Sequence, residues 1–148
     1  MPRRDLITID GDSNYGLNVF DTVGVGGVNS PAEVMTVQAM FRYLNELWDK
    51  KPEYKGMSSP ELSLEPDGLF GQKTIRAILT YQRKHWWSVL GIDGKIHPAK
   101  YENRNIRAGK RLMTITHMHL ELWLAEDTGV DYTKEIARRF PNLAFWIK

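Results

Sequence analysis

The chain has 148 residues and no cysteine, which excludes disulfide bonds and thiolate chemistry. It also lacks any apolar run near the roughly 20 residues needed to cross a bilayer. The chain has almost no excess of charge of one sign, because 20 basic and 18 acidic side chains leave a formal net charge of only +2. A nucleic-acid-binding protein is expected to carry a clustered basic face. We therefore expect no nucleic-acid partner and no membrane insertion.

A secretory signal is missing as well. Arg3 and Arg4 lie close to the N-terminus, but no apolar segment follows them, as a signal peptide would require. We expect the chain to be cytoplasmic as made, so that any delivery to the periplasm or cell wall would need another route. Apolar residues make up 42% and charged residues 26%, a composition typical of one globular domain spanning 1–148.

The clearest helix signal begins at Ser30. The run "SPAE" resembles a capping box, with Ser30 as the N-cap and Glu33 reaching back to it. Pro52 is expected to end this helix. Apolar residues recur behind the cap at spacings of three and four, which places them on one helical face: Val34, Val37, Phe41, Leu44 and Trp48.

A second amphipathic helix is predicted from an N-cap at Gly71 to about His85, between two Asp-Gly turns. Asp67-Gly68 precedes it and Asp93-Gly94 follows it. Its apolar face is predicted to contain Thr74, Ala77, Ile78 and Tyr81.

Outside these helices the pattern is less regular. Residues 1–28 are rich in turn formers and predict an irregular arm with short β-prone pieces at 6–9 and 16–20. Residues 49–65 and 99–110 are predicted to be loops. Residues 112–125 start like a strand, but their good helix formers favour a helix. A short last helix is predicted from Asp131 to about Phe140, closed by Pro141.

Three segments together carry a family resemblance: "EVMTVQAMFRYLN" (33–45), "DGLFGQKTIRAILTYQ" (67–82) and "GIDGKIHP" (91–98). They are similar to the peptidoglycan-binding domain family, with Tyr81 where that family usually has Phe. The residues in register are Gln38, Asp67, Gly68, Phe70, Gly71, Thr74, Ala77, Gln82, Asp93 and Gly94.

The resemblance implies a mainly α fold: a peptidoglycan-binding-like three-helix core at 29–98, an irregular N-terminal arm and a C-terminal helical extension at 99–148. It also implies a non-enzymatic binding module that engages bacterial cell-wall peptidoglycan, without a cofactor or catalytic residue. The family residues that we assign to structural turns and a helix start are Asp67, Gly68, Gly71, Asp93 and Gly94.

Four residues are the candidates for ligand contact: Arg83, Trp86, Trp87 and Lys95. An indole face suits the C–H bonds of a sugar, and cations suit the carboxylates of a peptide stem. The competing interpretation is that one tryptophan fills the core while the other is partly exposed, as is common for aromatic residues at the end of a packed helix.

A second function class stays open, a protein-interaction adaptor or cargo of a phage-like or secretion machine that keeps the fold without binding the wall. The missing export signal favours it, as do the segment 99–110 before the next helix and the aromatic tail "FPNLAFWIK" (140–148).

An enzyme is the third hypothesis, and the residues favour it least. On a strand, His117, His119 and Glu121 of "HMHLE" would share a face as metal ligands, but on a helix residues two apart diverge. We therefore expect no metal site there. The run "DGDSNYG" (10–16) has Tyr15 where an EF-hand needs Gly, and so predicts a solvated turn. The serines 58, 59 and 88 lie in no nucleophile-elbow or serine-histidine context.

Overall fold

The computed structural model describes residues 2–99 and 111–144, apart from the side chain of Ala144. Over these ranges helices dominate, which confirms a mainly helical fold at that level of detail. The predicted loop at 100–110 and the last four residues of the aromatic tail lie outside the described residues. The helices are α1 (Pro31–Lys50), α2 (Gln72–Lys84), α3 (Thr114–Ala125), α4 (Tyr132–Arg139) and α5 (Pro141–Ala144).

The strands form two small antiparallel sheets in the described ranges. One pairs β1 (Arg3–Ile9) with β2 (Asp12–Asn18), and the other pairs β3 (Val23–Gly24) with β4 (Lys95–Ile96). Two single turns of 3₁₀ helix, Pro52–Tyr54 and Pro60–Leu62, lie in the predicted loop between α1 and α2.

The expectation of an irregular N-terminal arm is wrong, because residues 3–18 form a β-hairpin. Its turn is Asp10-Gly11, with φ angles of 49° and 85°, the two positive values that a tight hairpin turn requires. Ile7, Ile9 and Leu17 are buried, and Leu17 belongs to the hydrophobic core that the helices share. Asp-Gly between two β-prone pieces was the sequence signal for this hairpin.

The prediction of a capping box at the start of α1 is also wrong. Ser30 is the N-cap, but among the described residues its side chain makes no capping hydrogen bond. Glu33 instead accepts hydrogen bonds from the backbone N–H groups of Phe20 (2.6 Å) and Asp21 (3.2 Å). Glu33 thus ties α1 to the segment that follows the hairpin.

The helices predicted after α1 are confirmed as α2, α3 and α4, but α4 is not the last, because Pro141 begins α5. Gly71 is the N-cap of α2, and the ambiguous segment after residue 112 is the helix α3. Asp131 caps α4, where its carboxylate accepts a hydrogen bond of 2.9 Å from the backbone N–H of Thr133.

A buried glutamine holds the start of α2 in place. The Oε1 of Gln38, on α1, accepts a hydrogen bond of 2.9 Å from Gly68 N. Its Nε2 donates to Asp67 Oδ1, Leu69 O and Thr74 Oγ1 at 3.0–3.2 Å. One side chain therefore joins α1, the Asp-Gly turn and the first turn of α2, an arrangement that we call a glutamine clasp.

A second glutamine clasp repeats the first at the start of α3. The Oε1 of Gln82, on α2, accepts from the backbone N–H groups of Asp93 (3.2 Å) and Gly94 (2.9 Å). Its Nε2 donates to Asp93 Oδ1, Lys95 O and Thr114 Oγ1 at 3.0–3.1 Å. Gly68 and Gly94, with φ of 75° and 71°, occupy equivalent places in the two turns.

One hydrophobic core connects β2, β3, β4 and the five helices, with α1 packed against both α3 and α4. Leu17 and Val19 from the N-terminal part share this core with residues of α1–α4. Arg4 fastens the hairpin to α4 through Asp131 Oδ2 (2.5 Å) and Thr133 Oγ1 (2.9 Å). Among the described helices, none has the length and apolar character that a membrane span would need.

Candidate functional site

The end of α2 directs two tryptophans to the surface. After the C-cap His85 the chain turns tightly, with the backbone N–H groups of Ser88 and Val89 both bonded to His85 O. Val89 enters the core, while Trp86 and Trp87 remain 58% and 60% exposed. Their rings meet edge to face, with centroids 5.9 Å apart. Neither tryptophan fills the core, so the competing interpretation of this pair is wrong.

The surroundings of the pair combine apolar surface with a cation. Leu90 (61%) and Ile92 (48%) follow in the chain and are also exposed, and Arg83 is exposed on the last turn of α2. We name these five residues the tryptophan surface. Single exposed apolar residues are ordinary, but here four of them lie within seven consecutive residues.

Lys95 lies in β4, at a cleft of about 110 Å³ that shares Leu90 with the tryptophan surface. Asp93 and His97 also line this cleft, and Asp93 Oδ2 lies 3.6 Å from His97 Nε2. Burial raises the pKa of Asp93, but hydrogen bonds from Gln82 and from the Lys95 backbone outweigh it and leave that pKa below its usual value. An acidic and a basic side chain thus lie beside the apolar patch.

The residues expected to form turns lie in the two glutamine clasps and not at the tryptophan surface. Asp67 and Asp93 each bond to the backbone N–H two residues further on, at 2.9 and 3.0 Å. Gly68 lies against the backbone of Pro31. A Cβ atom added to Gly68 would lie 2.9 Å from the carbonyl oxygen of Pro31.

A chain of hydrogen bonds runs from the buried Tyr81 through His117 to Ser88, the residue that follows Trp87. The Tyr81 hydroxyl lies 2.7 Å from His117 Nδ1, and His117 Nε2 lies 2.8 Å from Ser88 Oγ. Ser88 Oγ in turn donates to His85 O at 3.2 Å. The centroid of the His85 ring lies 4.5 Å from that of Tyr81, 4.6 Å from that of His117 and 6.4 Å from that of Trp87, and the His85 plane is tilted by about 45° to the first two rings.

The expectation that Ser88 has no serine-histidine context is therefore wrong. Sequence reasoning missed the pair because Ser88 and His117 are 29 residues apart and no local pattern joins them. One proton arrangement satisfies the whole chain: Tyr81 donates to His117 Nδ1, His117 Nε2–H donates to Ser88, and Ser88 donates to His85 O. In that arrangement His117 cannot act as a base toward Ser88, so the pair is not a primed nucleophile.

Burial controls the charge of this cluster. It lowers the pKa of His85 to about 3, assisted by His117 and Lys84, and it lowers the pKa of His117 to about 4. Both imidazoles are therefore neutral near pH 7. Burial also raises the pKa of Glu121, on α3, above its usual value.

The helix separates the histidines of "HMHLE", as the sequence predicted. His119 is buried on another side of α3, where its Nδ1 lies 2.6 Å from the Tyr132 hydroxyl. A set of side chains other than His117, His119 and Glu121 comes close together. His85, His117 and Glu121 each place a potential metal-ligand atom within 4.8 Å of the others. The i, i+4 spacing of His117 and Glu121 was the available sequence signal.

Comparison of the chain with protein-family models, with curated proteins and with solved structures finds no match.

Proposed function

We propose that the protein is a non-catalytic binding module for bacterial cell-wall peptidoglycan, built on a peptidoglycan-binding-like core at 29–98, a range in which the described structure has the α-helices α1 and α2. The observation that carries the proposal is the exposure of Trp86 and Trp87, 58% and 60%, at the end of α2. Exposing two indoles to water is unfavourable, and a ligand with apolar faces would remove that cost.

Peptidoglycan has the matching chemistry. The C–H faces of its sugars suit the indole rings, which meet at right angles and so present two differently oriented surfaces. The carboxylates of its peptide stems suit Arg83, and Lys95 offers a second cation at the neighbouring cleft. Each of the four proposed contact residues therefore has a partner group in the ligand.

The test is co-sedimentation of the folded protein with purified, protein-free sacculi. We expect saturable pelleting by the natural chain and at least about tenfold weaker binding by the double variant Trp86→Ala/Trp87→Ala, since buried aromatic anchors commonly contribute 2 kcal/mol or more. Both side chains lie outside the core, so the variant should keep its melting temperature.

The matched control is Phe20→Ala/Leu124→Ala, which removes two side chains of similar exposure, 63% and 60%, outside the tryptophan surface. It should bind sacculi as the natural chain does. Pelleting that the tryptophan variant retains would contradict the proposed surface, and no pelleting by the natural chain would contradict the function.

The protein-interaction adaptor is the second candidate. Leu90 and Ile92 favour it, because they extend the exposed patch with aliphatic side chains that a sugar does not need. A photo-crosslinking residue at position 86, in cells that make the protein, distinguishes the two. One saturable protein adduct together with absent sacculus binding would favour the adaptor, whereas sacculus binding without an adduct favours the wall.

A further inference from the structure

Two helices bring three metal-binding side chains together beneath the tryptophan surface. His117 and Glu121 are four residues apart on α3 and therefore share a face, and His85 reaches them from the end of α2. One potential ligand atom from each lies within 4.8 Å of the others. Two imidazoles and a carboxylate are a donor set that Zn²⁺ uses in proteins.

An orphaned nitrogen is the second, independent observation. His85 is only 4% exposed, and within the described residues its Nε2 is buried without a hydrogen-bond partner. A buried polar atom without a partner is unfavourable, because it has lost its hydrogen bonds to water. A metal ion bound at this nitrogen would remove that cost.

Glu121 adds the negative charge that a cation needs. It is partly buried, and within the ranges 2–99 and 111–144 the structure shows no hydrogen bond or ion pair to its carboxylate.

Tyr81 is placed to orient one of the ligands. Its hydroxyl lies 2.7 Å from His117 Nδ1, the position that an outer partner of a metal-bound histidine usually takes. With a metal at His117 Nε2, the single ring proton lies on Nδ1 and is donated to the Tyr81 oxygen, so the Tyr81 hydroxyl no longer donates to His117. Ser88 loses the bond from Nε2–H and keeps its bond to His85 O. Ligand atoms around tetrahedral zinc lie about 3.4 Å apart, so small side-chain rotations close the site.

We propose that His85, His117 and Glu121 bind one Zn²⁺ ion. Three protein ligands leave one position for a water molecule. This inference departs from the sequence-based expectation of no metal, which considered His119 in place of His85. It is independent of the proposed function, because it involves no wall component.

The test is a calorimetric titration of the full, tag-free chain with Zn²⁺ alone near pH 7, after removal of metal with a chelator. We expect one ion per chain. Co²⁺ in its place should give the visible absorption of a tetrahedral ion and should quench indole fluorescence, because His85 lies 6.1 Å from Trp48 and 6.4 Å from Trp87.

Single variants locate the ion. Glu121→Gln removes an anionic ligand with little change of shape, and we expect at least about tenfold weaker binding. His117→Gln should lose the Co²⁺ absorption, and Tyr81→Phe should weaken binding by about tenfold while the stoichiometry stays the same. His97→Gln is the control, because His97 is exposed and lies beside Asp93, away from the three ligands.

The outcomes separate clearly. The site is overturned if Zn²⁺ does not bind, if Glu121→Gln binds it as the natural chain does, or if His97→Gln is the variant that loses it. Circular dichroism establishes that each variant is folded. If His117→Gln does not fold, Glu121→Gln decides alone, because its side chain is only partly buried.

Discussion

At the scale of the residue, each of the two buried glutamines connects one helix to the start of the next. Gln38 and Gln82 are 2% and 1% exposed, and each bonds to an Asp-Gly turn and to a threonine at the start of the next helix. A family resemblance gives such a glutamine no role by itself. The structure shows it as the connection between consecutive helices.

Removing either clasp should therefore destabilise the fold. We expect Gln38→Ala and Gln82→Ala each to lower the free energy of unfolding by about 2–4 kcal/mol, because the turn amides and the threonine hydroxyl lose a buried partner. Urea denaturation measures the loss. Gln72→Ala, an exposed position on α2, is the control and should change the value by less than about 0.5 kcal/mol. Equal effects at the exposed and buried positions would contradict the role of the clasps.

Residue by residue, the sequence predicted turns better than contacts. Gly68 and Gly94 take positive φ as the Asp-Gly pattern predicts, because that information is local. The contact between Ser88 and His117 joins two elements 29 residues apart, and the exposure of Trp86 depends on how the chain turns after α2. Neither can be derived from spacing within one segment.

At the scale of the element, the docking of the hairpin on α3 decides how the N-terminal part is held. Gly16 in β2 lies so close to α3 that an added Cβ would come within 2.3 Å of Ile7 Cδ1 and 2.4 Å of His119 Nδ1. The His119 ring cannot easily retreat, since the same nitrogen is hydrogen-bonded to Tyr132.

Gly16→Ala should thus separate the hairpin from the helix. We expect the variant to lose about 1–3 kcal/mol of stability, the usual cost of overpacking. Thermal unfolding followed by circular dichroism is the measurement. Gly91→Ala is the control, because in the described structure an added Cβ at Gly91 meets no atom within 4 Å. A Gly16→Ala variant as stable as Gly91→Ala would show that the hairpin is not packed as described.

The helices α1 and α2 were predictable because their apolar period continues over 20 and 13 residues. The hairpin was not predicted, because Asp12, Asn14 and Asn18 of β2 are poor strand formers and weaken the alternation. Its strands exist because they pair with each other and bury Ile7, Ile9 and Leu17 against the helices.

At the scale of the whole molecule, one core spans the chain from Leu17 to Leu143. The resemblance covers only residues 29–98, yet α3 and α4 pack directly on α1, so the C-terminal helices complete the same core. The division into a family-like core and an extension describes the sequence and not two bodies.

Unfolding should accordingly be a single cooperative transition. Far-ultraviolet circular dichroism, which reports all helices, and the near-ultraviolet signal of buried Trp48 should give the same urea midpoint. Two separated transitions would show that the C-terminal helices form a body of their own.

The two glutamine clasps also differ in a way that bears on how such a chain can grow. Each glutamine binds an Asp-Gly turn that lies further along the chain. The aspartate of the turn comes 29 residues after the glutamine in the first clasp and 11 residues after it in the second. A side chain that fixes the turn directly makes the helix start independent of the length of the loop before it. Doubling a flexible loop costs only about 0.6 kcal/mol, so the segment between α1 and Asp67 is a natural place for insertions, by evolution or by design.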